Sequence, residues 1–385
     1  MKFLHLSDLH IGKSVNGFSM LEEQRHVFRQ IIGYIQTEHP DAAVIAGDIY
    51  DRAVPGIEAV RVFDDFITEL VNEEITIMII AGNHDSPERL SYASRLLADK
   101  KLFISGAFDG NIRKVVLSDN FGDVTFWLLP FIKPFSVRGL FNEREIETYD
   151  DALAAVIETA VVDYSARNVL VSHQFYTKSG VLPIRSESEI NPIGGLDAIN
   201  INIAEKFDYV ALGHLHGSQR IGADHIRYAG SPLKYSFSEI RQEKSVTLVE
   251  LNKKGNFLVS DLPLTPLHDM REIKGELEKL VNDEKSALAD KEDYLRVILT
   301  DEEEIIDPMG KIRSVYPNVM ALDFENPRTN SDVSAINLDS ERISALSSYE
   351  LFSEFFLEMR GFVMSEEQEA LIKELLETGC RNEAP

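Results

Sequence analysis

Short apolar runs alternate with amphipathic stretches along the first 265 residues, a rhythm that predicts strands and helices layered as α/β. Residues 3–6, 43–46, 75–80, 169–171 and 209–212 are nearly unbroken apolar runs, as expected of strands covered on both faces. Helical spacing fills stretches between them, notably 21–37 and 58–72. Between 182 and 202 the chain turns polar, with Gly and Pro, and reads as a long loop. A boundary falls near 263–266. Beyond it the pattern predicts a strand (270–273), a charged helix (275–281), a strand (294–300), an acidic turn (301–304), a helix (308–314) and a strand (319–324), a small α+β module. A polar tether then leads to two helical stretches, 349–360 and 366–378. Gly361 separates these, and Ser365 with Gln368 spells a capping box. The expected domains are 1–265, 266–325, a tether over 326–348 and a helical segment over 349–385.

Five short polar clusters each follow a predicted strand: Asp8-Leu9-His10, Gly47-Asp48, Gly82-Asn83-His84-Asp85, Ser172-His173 and Gly213-His214-Leu215-His216. Side chains just past the carboxyl ends of strands in an open α/β sheet converge on one rim, where ligands bind. Asp and His suit manganese, iron or zinc, and without paired cysteines a structural zinc site is not expected. A carboxylate can bridge two cations where a neutral imidazole cannot. Asp48 is the natural bridge, because Gly47 lets the backbone come close. Two metals so held can activate water, orient a phosphorus and neutralise a departing oxygen.

The order D-x-H, G-D, G-N-H-D, H, G-H-x-H resembles that of the calcineurin-like metallophosphoesterases. Longer phrases are similar to the family of nuclease D subunits of bacterial SbcCD complexes. They are residues 3–12 (FLHLSDLHIG), 46–52 (AGDIYDR), 208–216 (DYVALGHLH), 228–233 (YAGSPL) and 235–239 (YSFSE). The resemblance implies a layered β-sandwich flanked by helices, with a small α+β capping domain and a C-terminal helical pair. It implies that Asp8, His10, Asp48 and His216 hold one metal, and that Asp48, Asn83, His173 and His214 hold the other, the cofactors being two divalent ions and Mn2+ the expected one. His84 matches a non-ligand histidine that steadies the transition state or protonates the leaving oxygen. Asp85 is grouped with it in the catalytic set, and Asp85 and Asp51 fit as groups orienting a ligand or that histidine. The implied activity is DNA exo/endonuclease cleavage at ends and hairpins in repair and recombination. The implied partners are DNA, a coiled-coil ATPase of the SbcC type, and a second copy within a heterotetramer.

Composition alters this picture in one respect. A hydrophobic share of 44% and an aromatic share of 9% describe a globular chain. No apolar run reaches the ~18 residues of a membrane span, and the start of the chain meets Asp8 too early for a secretory signal. The single cysteine, Cys380, cannot form an intramolecular disulfide, so the expected compartment is the cytoplasm. The net charge of −25 is awkward for a DNA binder. Residues 1–265 carry 26 basic and 36 acidic side chains; the remainder carries 13 and 28. Bound cations would offset part of the excess, yet this chain alone should grip DNA weakly and need a partner.

Other readings compete. His5, His26, His39, His225 and His268 read as structural. Gly12-Lys13-Ser14 imitates the end of a phosphate-binding loop, but Ser7 stands where that motif needs glycine. Arg52, Arg89 and Lys133 could touch phosphates, or simply be solvated. Leu351, Phe352, Phe355, Phe356 and Met359 make one apolar helical face, and Ala370, Leu371, Leu375 and Leu376 another. These faces could pack on their own domain or dock on another protein. A small-molecule phosphodiesterase or phosphomonoesterase on the same scaffold is the alternative function. A non-catalytic scaffold would leave buried carboxylates facing each other without purpose.

Overall fold

The computed structural model describes residues 1–141, 143–178, 183–189, 198–282, 290–303 and 305–325, with 349, 352–353, 356–357, 364–365, 368–369 and 371–372. The expected tether and most of the expected helical pair lie outside those residues. Where the pair is described, Ser365 and Gln368 do exchange hydrogen bonds: Ser365 N–H to Gln368 Oε1 at 2.9 Å, and Gln368 N–H to Ser365 Oγ at 3.3 Å.

Two compact units divide the chain. The first comprises Met1–Glu272, Leu288–Arg296 and Tyr316–Ala321, and it is a layered α/β sandwich of two six-stranded sheets. In one sheet Lys2–Leu6, Ala42–Ala46, Thr76–Ile80 and Leu102–Ser105 run parallel, with Ser245–Leu251 and Phe257–Pro263 antiparallel beyond the first of them. In the other, Gly122–Leu129, Arg167–His173, Tyr209–Gly213 and Ala223–Tyr228 run parallel, edged by Arg113–Asp119 and Gln219–Ile221.

Period-two alternation explains why these strands are apolar throughout. Ala42, Val44 and Ala46 face the layer between the sheets, joined by Phe3, Met78, Ile80, Phe126, Val169, Val171, Tyr209 and Ala211. Ala43 and Ile45 face outward into a second core under the helices Leu21–Glu38 and Ile57–Asn72. The second sheet has its own outer core, covered by Tyr149–Thr159. In Leu21–Glu38 the buried Val27, Phe28, Ile31, Ile32 and Ile35 follow the 3.6-residue period; Phe28 stacks on Phe66 of the next helix with ring centroids 4.4 Å apart.

The polar stretch 182–202 is not wholly loop. Ile199–Asn200 pairs in parallel with Tyr176–Thr177, and residues 186–189 close a turn through Glu189 N–H to Ser186 O at 3.2 Å. Strands Met270–Gly275, Tyr294–Leu299 and Val319–Phe324 form a three-stranded sheet. Of their residues, Met270, Tyr294 and Met320 are buried in the outer core of the first unit. The second unit contains the helices Leu277–Asn282 and Pro308–Arg313, the latter capped by Asp307, whose side chain accepts Gly310 N–H at 3.1 Å.

Candidate metal centre

The carboxyl ends of Lys2–Leu6, Ala42–Ala46, Thr76–Ile80, Arg167–His173 and Tyr209–Gly213 come together, and the five polar clusters come with them. Backbone bonds hold the first two turns side by side: Asp8 N–H to Gly47 O at 3.0 Å, His10 N–H to Asp48 O at 3.0 Å and Ile11 N–H to Ile49 O at 2.9 Å. Asp8, His10, Asp48 and His214 all have positive φ (52°, 43°, 52° and 104°). Non-glycine residues rarely adopt that region, and strain of this kind gathers where a site fixes side-chain direction.

Two groups of donor atoms meet at Asp48. On one side His10 Nε2 and His216 Nε2 stand 3.1 Å apart, with His10 Nε2 4.0 Å from Asp8 Oδ1 and 3.7 Å from Asp48 Oδ2. On the other, Asn83 Oδ1 lies 3.0 Å from His173 Nε2 and 2.9 Å from His214 Nδ1, and His173 Nε2 is 3.3 Å from Asp48 Oδ2. Thus Asp48 Oδ2 is shared. Its other oxygen accepts His84 N–H at 2.8 Å. Asp8, His10, Asp48, His173 and His216 are all buried.

Several ring orientations are set from behind. His173 Nδ1 donates to Ala46 O at 2.7 Å and His84 Nδ1 to Asp51 O at 2.9 Å, which turns each Nε2 toward Asp48. His84 Nε2 is 4.0 Å from Asp48 Oδ2 with its side chain 19% exposed. Asp51 adds its carboxylate, 3.8 Å from His10 Nδ1 and held by Lys13 Nζ at 2.8 Å. Asp85 lies behind the cluster: its carboxylate accepts N–H groups of Ile49 (3.1 Å), Tyr50 (3.0 Å) and Gly82 (2.9 Å), joining the turn of Asp48 to the turn of Asn83 and His84. Glycines permit the close approach. A Cβ on Gly82 would lie 2.1 Å from Asp48 Oδ1, and one on Gly47 (φ +92°) 2.3 Å from His173 Nδ1.

The electrostatics are those of a cation site. Burial pushes the Asp8 carboxyl up, against the pull of His173 and His216. Burial would raise Asp48 too, but His173, with His10 and His84, holds it well below the usual carboxylate range. Burial opposes a proton on His173, and the Asp48 charge outweighs it, raising His173 to about 9. Burial drives His10 well down and His214 to about 3. Burial, then the nearby Asp48 charge, raises Asp85 to about 6. Two imidazole Nε2 atoms 3.1 Å apart beside two buried carboxylates present lone pairs to a common centre, a donor set that divalent cations fit.

All seven expected ligands and His84 are therefore in one cluster, with Asp85, the other expected catalytic residue, directly behind it. His5 is elsewhere, buried between the sheets against Tyr209 Oη (3.2 Å) and Leu212 O (3.1 Å). His268 pairs with the buried Glu23 at 2.7 Å. The sequence reading missed Ser188, Glu189, Glu239 and Lys244, which surround His216. Glu239 stood within the quoted phrase 235–239, and Glu189 within the polar stretch; nothing in the local pattern marked Lys244.

Residues 1–218 match the family described as calcineurin-like phosphoesterase, and residues 266–360 that described as type 5 capsule protein repressor C-terminal domain. The chain is similar to the D subunit of the SbcCD nuclease of Staphylococcus epidermidis, 33% identical over 382 residues that cover 98% of each chain. Among solved structures it is similar to the phosphopantetheinyl hydrolase of Mycobacterium tuberculosis (15% identity, 60% of this chain and 88% of that one, TM-score 0.36). It is also similar to a dimetal phosphatase of Danio rerio (13% identity, 69% and 99%, TM-score 0.38).

Proposed function

Since this chain belongs to the calcineurin-like phosphoesterases, in the branch of SbcCD nuclease D subunits, we propose that it cuts DNA at ends and hairpins within a larger repair assembly. Phosphodiester hydrolysis and a dependence on divalent metals come with the family. The observation that carries the finer reading is the shared carboxylate: Asp48 Oδ2 faces His10 Nε2 at 3.7 Å on one side and His173 Nε2 at 3.3 Å on the other. Asp8, His10, Asp48 and His216 would hold one ion, and Asp48, Asn83, His173 and His214 the second, with Mn2+ as the expected species. Bound there, the pair would supply Lewis-acid activation of water and neutralise charge on the phosphate.

The chain's own groups then account for orientation and proton handling. The Asp51 carbonyl fixes the His84 ring with its Nε2 on the open side of the cluster. A proton held on that nitrogen is within the reach expected of a general acid toward a departing oxygen. Asp85 acts one step back, keeping the two turns in register through its three backbone bonds.

Net charge bears on the partners. With −25 on the chain, DNA affinity would come from an assembly, and we assign that role to a coiled-coil ATPase and a second copy of this chain. Residues 266–325 are proposed to cap the rim and direct DNA, 326–348 to serve as a tether, and the 349–385 segment to dock on the ATPase. No helix among the described residues is long and apolar enough to cross a membrane.

The test is Mn2+-dependent cleavage of a labelled linear duplex and a hairpin by the chain with its ATPase partner, beside a chromogenic phosphodiester. Cleavage of DNA that is lost with His84→Ala supports the reading. Hydrolysis of the small diester alone, with the ATPase present, sinks it in favour of a small-molecule phosphodiesterase.

A further inference from the structure

Every polar atom of His216 except Nε2 is held by residues outside the metal-ligand pattern. Its backbone N–H donates to Glu189 Oε1 at 2.7 Å. Its carbonyl accepts Lys244 Nζ at 2.9 Å and Ser231 N–H at 3.0 Å. Its ring Nδ1 lies 2.8 Å from Ser188 Oγ, which lies 2.6 Å from Glu239 Oε1, and the ring nitrogen itself stands 3.4 Å from that same oxygen. Glu239 is fully buried; Ser236 Oγ reaches the same carboxylate oxygen at 3.1 Å, and Lys244 Nζ reaches the other at 2.7 Å.

Hydrogen counting gives this chain of bonds a direction. A carboxylate paired with an ammonium at 2.7 Å only accepts. The one hydroxyl hydrogen of Ser188 therefore goes to Glu239, and its oxygen accepts from His216 Nδ1–H. That leaves the Nε2 lone pair of His216 free on the side where His10 Nε2 stands 3.1 Å away. His10 is not secured in this way: its Nδ1 is buried without a hydrogen-bond partner among the described residues. The asymmetry makes His216 the imidazole of its group whose tautomer is fixed by side chains, and the fixing residues come from two separate stretches, 186–189 and 236–244.

We infer that Ser188 and Glu239 form a relay that sets the tautomer and aim of His216, and are positioning residues for the ion that Asp8, His10, Asp48 and His216 would hold. Glu189 and Lys244 pin the backbone of the same residue from either side. Metal-ligating imidazoles depend on such outer partners, whose removal costs about 10–100-fold in affinity. The inference rests on the two-metal reading above.

Calorimetric titration of the metal-free full chain with Mn2+ tests both, with the EPR spectrum of the bound ions as a second signature. Wild type should take up two equivalents and show a coupled pair. Ser188→Ala should bind one of them about 10–100-fold more weakly and show an isolated ion at one equivalent. Ser188→Thr, which restores the hydroxyl, should recover both. In a His216→Ala background, Ser188→Ala should change nothing further. Glu239→Gln should act in the same direction, but it leaves Lys244 buried without its ion pair, so the Ser188 variants decide. A wild-type chain that binds fewer than two ions overturns the two-metal reading and this inference with it. Two ions in wild type with an unchanged Ser188→Ala titration overturns the inference alone. So does a Ser188→Thr chain that remains as weak as the alanine variant, since the hydroxyl would then be irrelevant.

Discussion

Gly47→Ala puts one methyl group into the most constrained point of the centre. Two costs add. The backbone at φ +92° lies where an L side chain is disfavoured by about 1–2 kcal/mol. The added Cβ would stand 2.3 Å from His173 Nδ1, 2.6 Å from its Cγ and 2.9 Å from its Cβ. That ring cannot simply swing aside, because it is fully buried and its Nδ1–H is tied to Ala46 O at 2.7 Å. Overpacking of this kind costs about 1–3 kcal/mol, so the total is about 2–5 kcal/mol. The loss can appear in either of two places. If the ring stays, the metal-free chain is destabilised by the full amount. If it yields, His173 loses its aim and Mn2+ binding weakens instead, about tenfold for each 1.4 kcal/mol.

Urea unfolding of the metal-free chain, followed by Trp127 fluorescence, and Mn2+ calorimetry therefore have to be read together. Gly33→Ala is the control. Gly33 sits inside the helix Leu21–Glu38 with nothing within 4 Å of an added Cβ, so alanine there should stabilise by about 0.5–1 kcal/mol. A Gly47→Ala chain that matches wild type in both stability and Mn2+ affinity would refute this account, as would two glycine substitutions that behave alike.

Asp119→Asn should lower stability by about 3 kcal/mol without touching metal affinity, because it breaks a bidentate pair with the buried Arg167, which also reaches the carbonyls of Gly122, Leu251 and Asn252. The Arg167 hydrogen bonds, with other donors, hold the Asp119 carboxyl well below its usual range. Its contribution is thus full above about pH 4 and lost as pH falls below that, and unfolding midpoints across pH 2–6 should show this slope in wild type and not in the asparagine variant. His84→Ala should cost about 10²–10⁴-fold on DNA but far less on a diester with a nitrophenol leaving group, which departs without a proton; equal losses would remove His84 from the acid role. A chain ending at Glu325 should lose capture of the ATPase while hydrolysing the small diester as before, and retained capture would place the docking surface elsewhere. Deleting residues 266–325 should impair DNA cleavage more than diester hydrolysis, with melting followed in parallel because Met270, Tyr294 and Met320 leave a core.

The strands legible in the sequence are those buried on both faces. Ala42–Ala46 and Thr76–Ile80 have no exposed position, so their composition alone separates them from helices and loops. The hairpin Arg113–Asp119 with Gly122–Leu129 was not legible, because its first strand is an edge whose burial switches residue by residue and whose charges resemble those of a surface helix. Nor could periodicity show that two sheets face each other. That depends on Phe3 meeting Phe126 and Tyr209 across the layer, at centroid distances of 5.3 and 5.7 Å between residues far apart in the chain.

The candidate site was legible for a reason that also defines its limit. Each ligand follows a strand directly, so finding the strand finds the ligand, and the five clusters converge once the sheets form. Residues that act on a ligand from behind have no such tie. Glu239 reaches His216 only because a short turn after Ala223–Tyr228 brings residues 231–239 back beneath it, and Lys244 because Ser245–Leu251 begins just beyond. Their chemistry is ordinary, a glutamate and a lysine among many, and only their burial sets them apart: Glu239 is fully enclosed and Lys244 is 8% exposed. A buried ion pair costs desolvation that its mutual attraction barely repays. One placed with its atoms on the carbonyl and, through Ser188, on the ring of a metal-facing imidazole is better explained by the precision it gives that imidazole than by stability. The Ser188 variants address that distinction directly, because they remove the 2.8 Å bond to the ring, leaving only the longer 3.4 Å approach of Glu239, and keep the Glu239–Lys244 pair intact.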